Sequence, residues 1–243
     1  MKMTLSLIDG DLLVYRLGYA CENLDGAVPE GIAKWRMDEF LLDLLQFKLD
    51  GVDDYEGYIT GSNNFREKVA FTAPYKGNRT GKKPVHYDFL RNHLTTEWEF
   101  DKVEGIEADD AIARMATKYR DTSIIVSIDK DFDQVPGWHY NFVKGEKYYV
   151  DDDQGFYNFC AQLLTGDRAD NIIGLRGIGP VGAAKILGDA GSASVQFKRC
   201  AEEYRKAGDT GLEHFRENCR LLWLLREDPG KEERIETYLK EWL

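Results

Sequence analysis

Two short apolar segments, each ending in aspartate, constrain the fold of this chain most strongly. Residues 5–9 read LSLID and residues 123–129 read SIIVSID. Short apolar runs of this kind, bounded by turn residues, are typical of buried strands. In open α/β sheets, binding sites form beyond the carboxyl ends of the strands, and Asp9 and Asp129 fall at that point of the two segments.

The rest of the chain first alternates between strand and helix signals and then becomes helical. The spacing of apolar residues predicts helices over 11–22, 35–49, 85–96 and from Glu107, and strands over 55–60, 139–143 and 147–150. From Asp151 onward the pattern is almost wholly helical, apart from a glycine-rich stretch between Gly174 and Gly182. This order predicts an α/β fold: a mainly parallel sheet flanked by helices over residues 1–150, then a helical region over 151–243.

The charge balance at first argues against a nucleic-acid partner, because the 243 residues carry a formal net charge of −11. Eight of the acids recur in short clusters, however, and the remaining charges nearly balance. A local basic patch can bind phosphate while an acidic pocket holds metal, so the total charge decides little. With 43% apolar and 31% charged residues, the composition is that of a globular chain and excludes long disorder.

Cysteine and histidine spacing excludes two common kinds of site. The four cysteines contain no CxxC pair, and the four histidines show neither HExxH nor HxH spacing, so a zinc site or a disulfide framework is not expected. The acid at Asp9 comes too early for a signal peptide, and no apolar run approaches the ~20 residues of a membrane span. We expect a soluble protein located in the cytoplasm.

The clustered acids are the strongest chemical signal, and each cluster lies at the end of a predicted strand or helix or beside the glycine-rich stretch. They are Asp9; Glu107, Asp109 and Asp110; Asp129 and Asp131; and Asp167 and Asp170. Two pairs have a spacing of three, which places both members on one helical face, and Asp129 and Asp131 share a face if their strand continues through them. Packed together, such anions need bound cations, and oxygen ligands select Mg²⁺ or Mn²⁺. Two such ions can activate a water and stabilise a leaving phosphodiester oxygen.

Each acidic cluster also has a purely structural interpretation. Glu107 to Asp110 could be first-turn residues favoured by the helix dipole. Asp9 and Asp129 could be turn formers that follow strands. The sequence by itself does not place the four clusters next to each other.

The most cationic stretch of the chain is a loop predicted over residues 73–84. It contains Tyr75, Lys76, Arg79, Lys82 and Lys83. Lys76 and Arg79 could neutralise a reacting phosphate, with the bidentate geometry of arginine adding orientation, and the two later lysines would add backbone contacts. A solvated surface loop is the alternative.

The glycine-rich stretch contains GxGxxG at Gly177, Gly179 and Gly182. A dinucleotide site would require a preceding strand in a βαβ unit, whereas helical sequence follows here. A helix-hairpin-helix turn fits better, because Pro180 suits the first position of a new helix and the backbone amides there can hold a DNA phosphate. Carbonyls of the same turn could bind a monovalent cation. A glycine cap followed by a fresh helix remains the structural alternative.

Taken in order, the motifs resemble the 5′-nuclease (flap endonuclease) family, in the form found in bacteriophages and in the 5′-nuclease domain of bacterial DNA polymerase I. The matching segments are LIDGD, FREKVAFTAPYKGNR, IEADDAIARM, SIDKDFDQV and GDRADNIIGLRGIGPVGAAKIL. The resemblance implies a PIN-like core with an arch at about 66–85 and a helix-hairpin-helix element at about 165–190. It implies a structure-selective 5′→3′ exonuclease or flap endonuclease in DNA replication and repair, with two Mg²⁺ or Mn²⁺ ions.

The resemblance also assigns roles to individual residues. All eight clustered acids are implied as metal ligands, Lys76, Arg79 and Asp109 as catalytic, and Gly177, Ile178 and Gly179 as a DNA-contacting turn with a potassium ion. Tyr75, Lys82, Lys83 and Lys185 complete the predicted DNA contacts. The implied partners are DNA ends, nicks or flaps, RNA–DNA hybrids and replication proteins, with the chain as a monomer.

The sequence departs from the family pattern at one position. The family carries an acid at the end of the second strand, where this chain has Thr60 or Gly61. Two alternatives therefore remain open: a catalytically silent protein that binds DNA junctions, and a PIN-type ribonuclease. A nucleotide-cofactor enzyme built on the glycine-rich stretch is the weakest reading.

Overall fold

A computed structural model describes residues 4–23, 26–49, 52–188 and 191–243 of the chain. In these ranges the strands are β1 (Leu5–Asp9), β2 (Glu22–Asn23), β3 (Gly26–Ala27), β4 (Asp54–Thr60), β5 (Asp101–Val103), β6 (Ser123–Val126), β7 (Gly137–Asn141), β8 (Glu146–Val150), β9 (Gly166–Asp167) and β10 (Ile172–Ile173). The helices are α1 (Gly10–Ala20), α2 (Glu30–Asp43), α3 (Arg66–Val69), α4 (Tyr87–Glu97), α5 (Ala108–Lys118), α6 (Asp152–Thr165), α7 (Pro180–Leu187), α8 (Ala193–Lys206), α9 (Gly211–Leu222) and α10 (Arg234–Glu241). A π-helical turn, Leu44–Lys48, continues α2, and a 3₁₀ turn spans Lys130–Gln134.

The central element is a six-stranded sheet in the order β5-β4-β1-β6-β7-β8. Strand β1 pairs in parallel with β4 on one side and with β6 on the other, and β5 and β7 extend the sheet in parallel. Asp9 lies opposite Tyr58, and Ile8 lies opposite Val126. The predicted α/β fold with a mainly parallel sheet is confirmed.

Burial on both faces explains why β1 and β6 are continuously apolar. Their residues are buried almost throughout, as expected for parallel strands covered by helices on either side. One core joins Ile8 and Val126 to side chains of α1, α2 and α4. Helix α5 packs on β1, β4, β5 and β6. The sheet is thereby held with the carboxyl ends of β1, β4 and β6 at one edge.

A second core forms among the helices of the C-terminal half. It is rich in aromatic side chains: Phe159 meets Trp223 at 5.0 Å between ring centroids, and Phe197 meets Phe215 at the same distance. Buried Arg66 of α3 belongs to this region, because it donates to the carbonyls of Leu221 (2.8 Å) and Trp223 (3.0 Å). The cysteines Cys21, Cys160, Cys200 and Cys219 are buried and free, as expected for a chain without a disulfide framework.

The chain divides into two compact units. The first comprises 1–62, 81–132 and 137–149, and the second comprises 63–80, 133–136 and 150–243. Residues 63–80 lie with the helical unit and not with the sheet. Their hydrogen bonds explain this placement, since Arg66, Thr72 and Tyr75 all bond to residues beyond 150.

Two local predictions were wrong. Strand β6 ends at Val126 instead of continuing to residue 129. Asp131 therefore lies in a 3₁₀ turn and Asp129 directly before it, so the two do not share a strand face. Asp167 and Asp170 do not share a helical face, because α6 ends at Thr165 and Gly166, with φ of 71°, turns the chain into β9. In the described part of the chain, no helix is both long enough and apolar enough to cross a membrane.

The approach of Phe100 to β4 gives a test of the sheet packing. A Cβ at Gly57 would lie 2.4 Å from ring atoms of Phe100, which is itself buried. Gly57→Ala should therefore destabilise the chain by about 1–3 kcal/mol through overpacking. The matched control is Gly31→Ala in α2, where no atom lies within 4 Å of the new methyl group. Helix propensity should make that change neutral or stabilising by up to ~1 kcal/mol. Urea unfolding measures the free energy of unfolding of both variants. Equal effects of the two changes would contradict the close packing of Phe100 on Gly57.

Candidate functional site

Asp9 occupies the carboxyl end of the central strand and is almost fully buried, with 3% of its surface exposed. Its Oδ1 accepts from the amide of Leu12 (3.0 Å), so it also caps α1, and its Oδ2 accepts from Ser127 Oγ (2.9 Å). The parallel register places Ser127, the residue after β6, beside Asp9. The order β4-β1-β6 in the sheet therefore brings Asp9 next to the segment that carries Asp129.

The pKa of Asp9 rises to about 7. Burial is the largest cause, and repulsion by the carboxylates of Asp11 and Asp129 adds to it, while the hydrogen bonds from Leu12 and Ser127 oppose it. The ionised carboxylate is consequently disfavoured here. A cation bound at this point would relieve the repulsion and return the group to its ionised form.

Asp129 and Asp131 follow in a compact turn. The amide of Asp129 donates to Ser127 Oγ (3.0 Å), and the amide of Asp131 donates to Asp129 Oδ1 (2.9 Å). Ser127 thus connects Asp9 to Asp129 through one hydroxyl group. Sequence reasoning missed Ser127, although the serine directly after an apolar strand was visible.

Glu107 and Asp110 form a capping box at the start of α5. The Glu107 side chain accepts from the amide three residues on, and Asp110 Oδ2 accepts from the amide of Glu107 (3.0 Å). Both carboxylates are buried, whereas Asp109 in the same turn is half-buried. The two acids thus satisfy backbone amides at the start of α5 that have no partner within the helix.

The remaining acid pair lies in the second unit. Asp167 is buried, and its Oδ1 accepts from the amide of Ala169 (2.6 Å), while its Oδ2 accepts from Gln162 (3.3 Å). Asp170 is half-buried and pairs with cations described below. Among the residues that the structure describes, no three His, Cys, Asp or Glu side chains are grouped so as to hold a metal ion. Several of these carboxylates accept hydrogen bonds from amides of their own turns.

The cationic loop is hydrogen-bonded to the turn that carries Asp170. Tyr75 donates its hydroxyl to Asp170 Oδ2 (2.7 Å), Arg79 Nη2 lies 2.5 Å from Asp170 Oδ1, and Lys76 Nζ lies 3.7 Å from Oδ2. The backbone amide of Lys76, in the left-handed conformation with φ of 54°, also donates to the carbonyl of Asp170 (2.8 Å). Asn171 donates to the carbonyl of Pro74 (2.9 Å). The predicted catalytic cations thus converge on one predicted ligand.

Lys82 and Lys83 fall in the first unit, whereas residues 63–80 fall in the second. Lys83 Nζ lies 4.1 Å from the centroid of the Tyr87 ring, and the carbonyl of Lys82 accepts from the hydroxyl of Tyr19. Both lysines are exposed. The stretch predicted as one basic loop is therefore split between the two units.

Glu217 of α9 holds the segment that leads into the cationic loop. It is buried, with 2% of its surface exposed, and its Oε1 accepts from the amides of Phe71 (2.5 Å) and Thr72 (2.8 Å). Its Oε2 accepts from the hydroxyl of Thr72. Sequence reasoning missed this residue, because a lone acid in an amphipathic helix carries no signal of a partner about 145 residues away.

The glycine-rich turn has the predicted local structure. Gly177 adopts φ of 81°, Gly179 is the N-cap of α7, and Pro180 is its first residue. Gly177, Gly179 and Lys185 are exposed, and Ile178 is half-buried. The preceding strand β10 has two residues and pairs antiparallel with β9, so no βαβ unit precedes the glycines and the dinucleotide interpretation is wrong.

Comparison with known proteins gives relatives in both sequence and structure. No family model matches the chain. It is 29% identical over 219 residues to the thermostable DNA polymerase I of Thermus aquaticus, an alignment that covers 79% of this chain and 24% of that protein. The chain thus spans about a quarter of the length of the first curated relatives that it matches over most of its own length.

Two solved structures share the fold. T5 5′-exonuclease superposes with a TM-score of 0.57 at 17% identity, covering 90% of this chain and 100% of that one. The catalytic core of Rad2 superposes with a TM-score of 0.52 at 13% identity, covering 92% and 75%. At this level of identity the likeness establishes the fold.

The sequence relatives and the shared fold both support the resemblance of the motifs to the 5′-nuclease, or flap endonuclease, family. The chain is related in sequence to DNA polymerase I and has the fold of T5 5′-exonuclease.

The raised pKa of Asp9 predicts a pH dependence of stability in the metal-free protein. Between its ordinary value of 3.8 and about 7, the folded chain keeps a proton that the unfolded chain has released. The free energy of unfolding therefore falls as pH rises through this window, by roughly 1.4 kcal/mol for each step of one in pH. Asp9→Asn lacks this titration, so its stability relative to wild type should increase from pH 4.5 to pH 8.

Urea unfolding in the presence of chelator, at both pH values, measures this difference. Asp43→Asn is the control, because Asp43 is exposed and its salt bridge to Lys48 is long, at 3.9 Å. Parallel profiles of stability against pH for wild type and Asp9→Asn would contradict a raised pKa of Asp9.

The buried contacts of Glu217 predict a graded loss of stability. Glu217→Ala leaves two backbone amides without their acceptor and should cost about 2–3 kcal/mol or more. Glu217→Gln should cost less, because its oxygen still accepts from both amides and the Thr72 hydroxyl can accept from the new amide group. Glu236→Ala is the control: that half-exposed carboxylate pairs with Arg220, and its loss should cost at most ~1 kcal/mol. Thermal unfolding, with hydrogen exchange at Phe71 and Thr72, distinguishes the three variants. Equal losses of stability in the two alanine variants would contradict the structural role of Glu217.

Proposed function

We propose that the chain is a structure-selective, metal-dependent 5′→3′ nuclease that hydrolyses DNA phosphodiesters at ends, nicks or 5′ flaps. The observation that carries the proposal is the buried carboxylate of Asp9 at the end of the central parallel strand. It is repelled by Asp11 and Asp129 and lies in the fold of the 5′-nucleases. An anion placed in this way, at the edge where α/β sheets bind ligands, suits a site for a divalent cation.

Mg²⁺ or Mn²⁺, as two ions, is the proposed cofactor. When bound, the ions would supply an activated water and neutralise the leaving oxygen. The proposed ligands, some acting through water, are Asp9, Glu107, Asp109, Asp110, Asp129, Asp131, Asp167 and Asp170. For Glu107 and Asp110 the proposal requires each carboxylate to accept from its helix amide with one lone pair while facing a cation with another, which carboxylate oxygens allow. Divalent metal ions, in that case zinc, are bound in a structure of T5 5′-exonuclease, which supports a divalent cofactor.

Lys76 and Arg79 are proposed to contact the reacting phosphate. Their pairing with Asp170 keeps both cations in one place, and the geometry of arginine suits two phosphate oxygens at once. The reacting phosphodiester carries one negative charge, and more charge develops on its oxygens in the transition state, so it can compete with a single half-buried carboxylate for the same cations. Tyr75, which shares Asp170, would orient the loop against the substrate.

The exposed turn at Gly177, Ile178 and Gly179 is proposed to hold the DNA backbone. Amides at the start of α7 point outward and can donate to a phosphate, with a potassium ion on the carbonyls of the turn and Lys185 nearby in the sequence. Lys82 and Lys83 would add phosphate contacts. A complex of the Rad2 catalytic core with DNA substrate supports DNA as the ligand.

Several finer properties belong to the same proposal. We expect a monomeric cytoplasmic enzyme of DNA replication and repair, of the bacteriophage or bacterial type, working beside replication proteins. Residues 1–150 and 151–243 would supply the catalytic and the DNA-gripping parts, with the arch in the first of them. RNA–DNA hybrids are an expected second substrate, because contacts to the phosphate backbone do not read base sequence.

A metal-dependent cleavage assay with Asp129→Asn tests the proposal. The asparagine keeps the oxygen that accepts from the Asp131 amide but loses the charge. With a 5′-labelled flap duplex and Mg²⁺ or Mn²⁺, wild type should release short 5′ products and the variant should lose cutting while still binding DNA. Product length distinguishes trimming from cutting at the junction.

Lys231→Ala serves as the control for this assay, because that exposed cation pairs only locally with Asp228 at 2.7 Å. It should cut like wild type. Tight flap binding by wild type without cutting in either metal would overturn the nuclease and favour the silent junction binder. Preferred cutting of single-stranded RNA would favour the ribonuclease.

A further inference from the structure

Thr60, the last residue of β4, is held by three neighbours at once. Its amide donates to Asp11 Oδ2 (2.9 Å), its carbonyl accepts from Arg91 Nη2, and its hydroxyl accepts from the amide of Ala108 (2.9 Å). These bonds join β4 to α1, α4 and α5, all within the first unit. Thr60 therefore uses its amide, its carbonyl and its side chain to link four elements.

The pair of Asp11 and Arg91 supports this arrangement. Arg91 Nη1 lies 2.5 Å from Asp11 Oδ1, and the side chains are 16% and 26% exposed, so the ion pair is partly shielded from water. Since the same guanidinium also reaches the carbonyl of Thr60, it bridges the carboxylate and the strand end. Charge-assisted bonds of this type are shorter and stronger than neutral ones.

The hydroxyl of Thr60 completes the N-terminus of α5. Ala108 is the first residue of that helix, and its amide has no partner within the helix. The capping box of Glu107 and Asp110 satisfies other amides of the turn, and Thr60 satisfies this one from outside the helix. The position of the turn that carries three of the clustered acids is therefore set by the end of β4.

The backbone next to Thr60 is tightly enclosed as well. A Cβ at Gly61 would lie 2.4 Å from both the Val103 carbonyl oxygen and a Glu104 carboxylate oxygen. The amide of Gly61 also donates to the carbonyl of Val103 (2.7 Å). A rigid strand end of this kind transmits its position to whatever is hydrogen-bonded to it.

We propose that Thr60, held by the Asp11–Arg91 pair, is a positioning residue that places the acidic first turn of α5 for divalent metal. This proposal rests on the proposed function, which supplies the metal site. It adds that the end of β4, although it carries no carboxylate, positions the ligands of that site. The neutral ion pair and the hydroxyl add no net charge at this edge. The strand end contributes geometry where an acid would contribute a ligand.

The test compares three hydroxyl variants of the full chain. Thr60→Val removes the hydroxyl but keeps the shape, and Thr60→Ser keeps the hydroxyl. Thr117→Val makes the same isosteric change at the other end of α5, where the lost bond is to the carbonyl of Ala113 (2.8 Å). Mn²⁺ binding without DNA is measured by calorimetry, hydrogen exchange is followed at Ala108, and kcat and KM are measured on the flap duplex.

Thr60→Val should weaken Mn²⁺ binding about 10–100-fold and lower kcat at sub-saturating Mn²⁺, since the loss of outer groups that orient metal ligands has that effect. KM for DNA should change by less than about 2-fold, because the phosphate-binding groups are untouched. Exchange at Ala108 should accelerate. Thr60→Ser should restore all three quantities, and Thr117→Val should leave them at the wild-type level.

Unchanged Mn²⁺ affinity in Thr60→Val, or an equal loss in Thr117→Val, would overturn the positioning role. If Thr60→Val does not fold, Arg91→Lys replaces it, because lysine keeps the charge but cannot bridge Asp11 and the Thr60 carbonyl with one planar group. The same Mn²⁺ result is expected there, and wild-type affinity in Arg91→Lys would overturn the role. If the wild type binds Mn²⁺ but cuts no flap, the proposed nuclease function is wrong. The positioning role of Thr60 is then decided by the Mn²⁺ affinities of the variants alone.

Discussion

The parallel pairing of β1 between β4 and β6 is the constraint on which the candidate site depends. Because both faces of β1 are buried, a slip of one residue would turn its apolar side chains to the wrong layer, so the register is fixed. That register sets Asp9 beside Ser127 and leaves Thr60 at the end of the adjacent strand. Groups that are distant in the sequence meet at one edge for reasons of core packing alone.

The sequence predicted those elements whose apolar pattern is determined locally. Strands β1, β4 and β6 and helices α1, α4 and α5 were found because buried parallel strands and amphipathic helices each have their own period. The helix N-terminus at Gly179 and Pro180 was found because proline and glycine act through their own backbone angles. Strand β5 was missed, since three residues, two of them charged, show no periodicity.

The candidate site was predictable only as a set of residue types. The acids and cations were visible, yet their partners depend on contacts between residues far apart in the chain. Asp170 bonds Tyr75 across 95 positions, and Thr60 bonds Ala108 across 48. The spacing rules also failed where the backbone changed form, at Val126 and at Gly166, because a face is shared only while a strand or a helix continues.

The carboxylates fall into two physical groups despite their similar appearance in the sequence. Glu107, Asp110 and Asp167 are hydrogen-bonded to amides of their own turns, and Glu217 to amides of a distant segment, so burial of these anions is compensated by backbone dipoles. Asp9 also accepts two hydrogen bonds, but burial and repulsion by two like charges outweigh them. The difference separates carboxylates whose charge is balanced by backbone amides from Asp9, whose buried environment favours an external cation.

The second unit is built from segments that are far apart in the sequence, and this affects the order in which the chain can fold. Residues 63–80 and 133–136 pack with segments that follow residue 150, so they are synthesised well before their neighbours exist. Until α9 emerges from the ribosome, Arg66 and the amides of Phe71 and Thr72 have no acceptors for the bonds they make in the folded state. Folding of the second unit must therefore wait for α9, and a nascent chain halted near residue 150 would present the cationic loop without the turn that holds it.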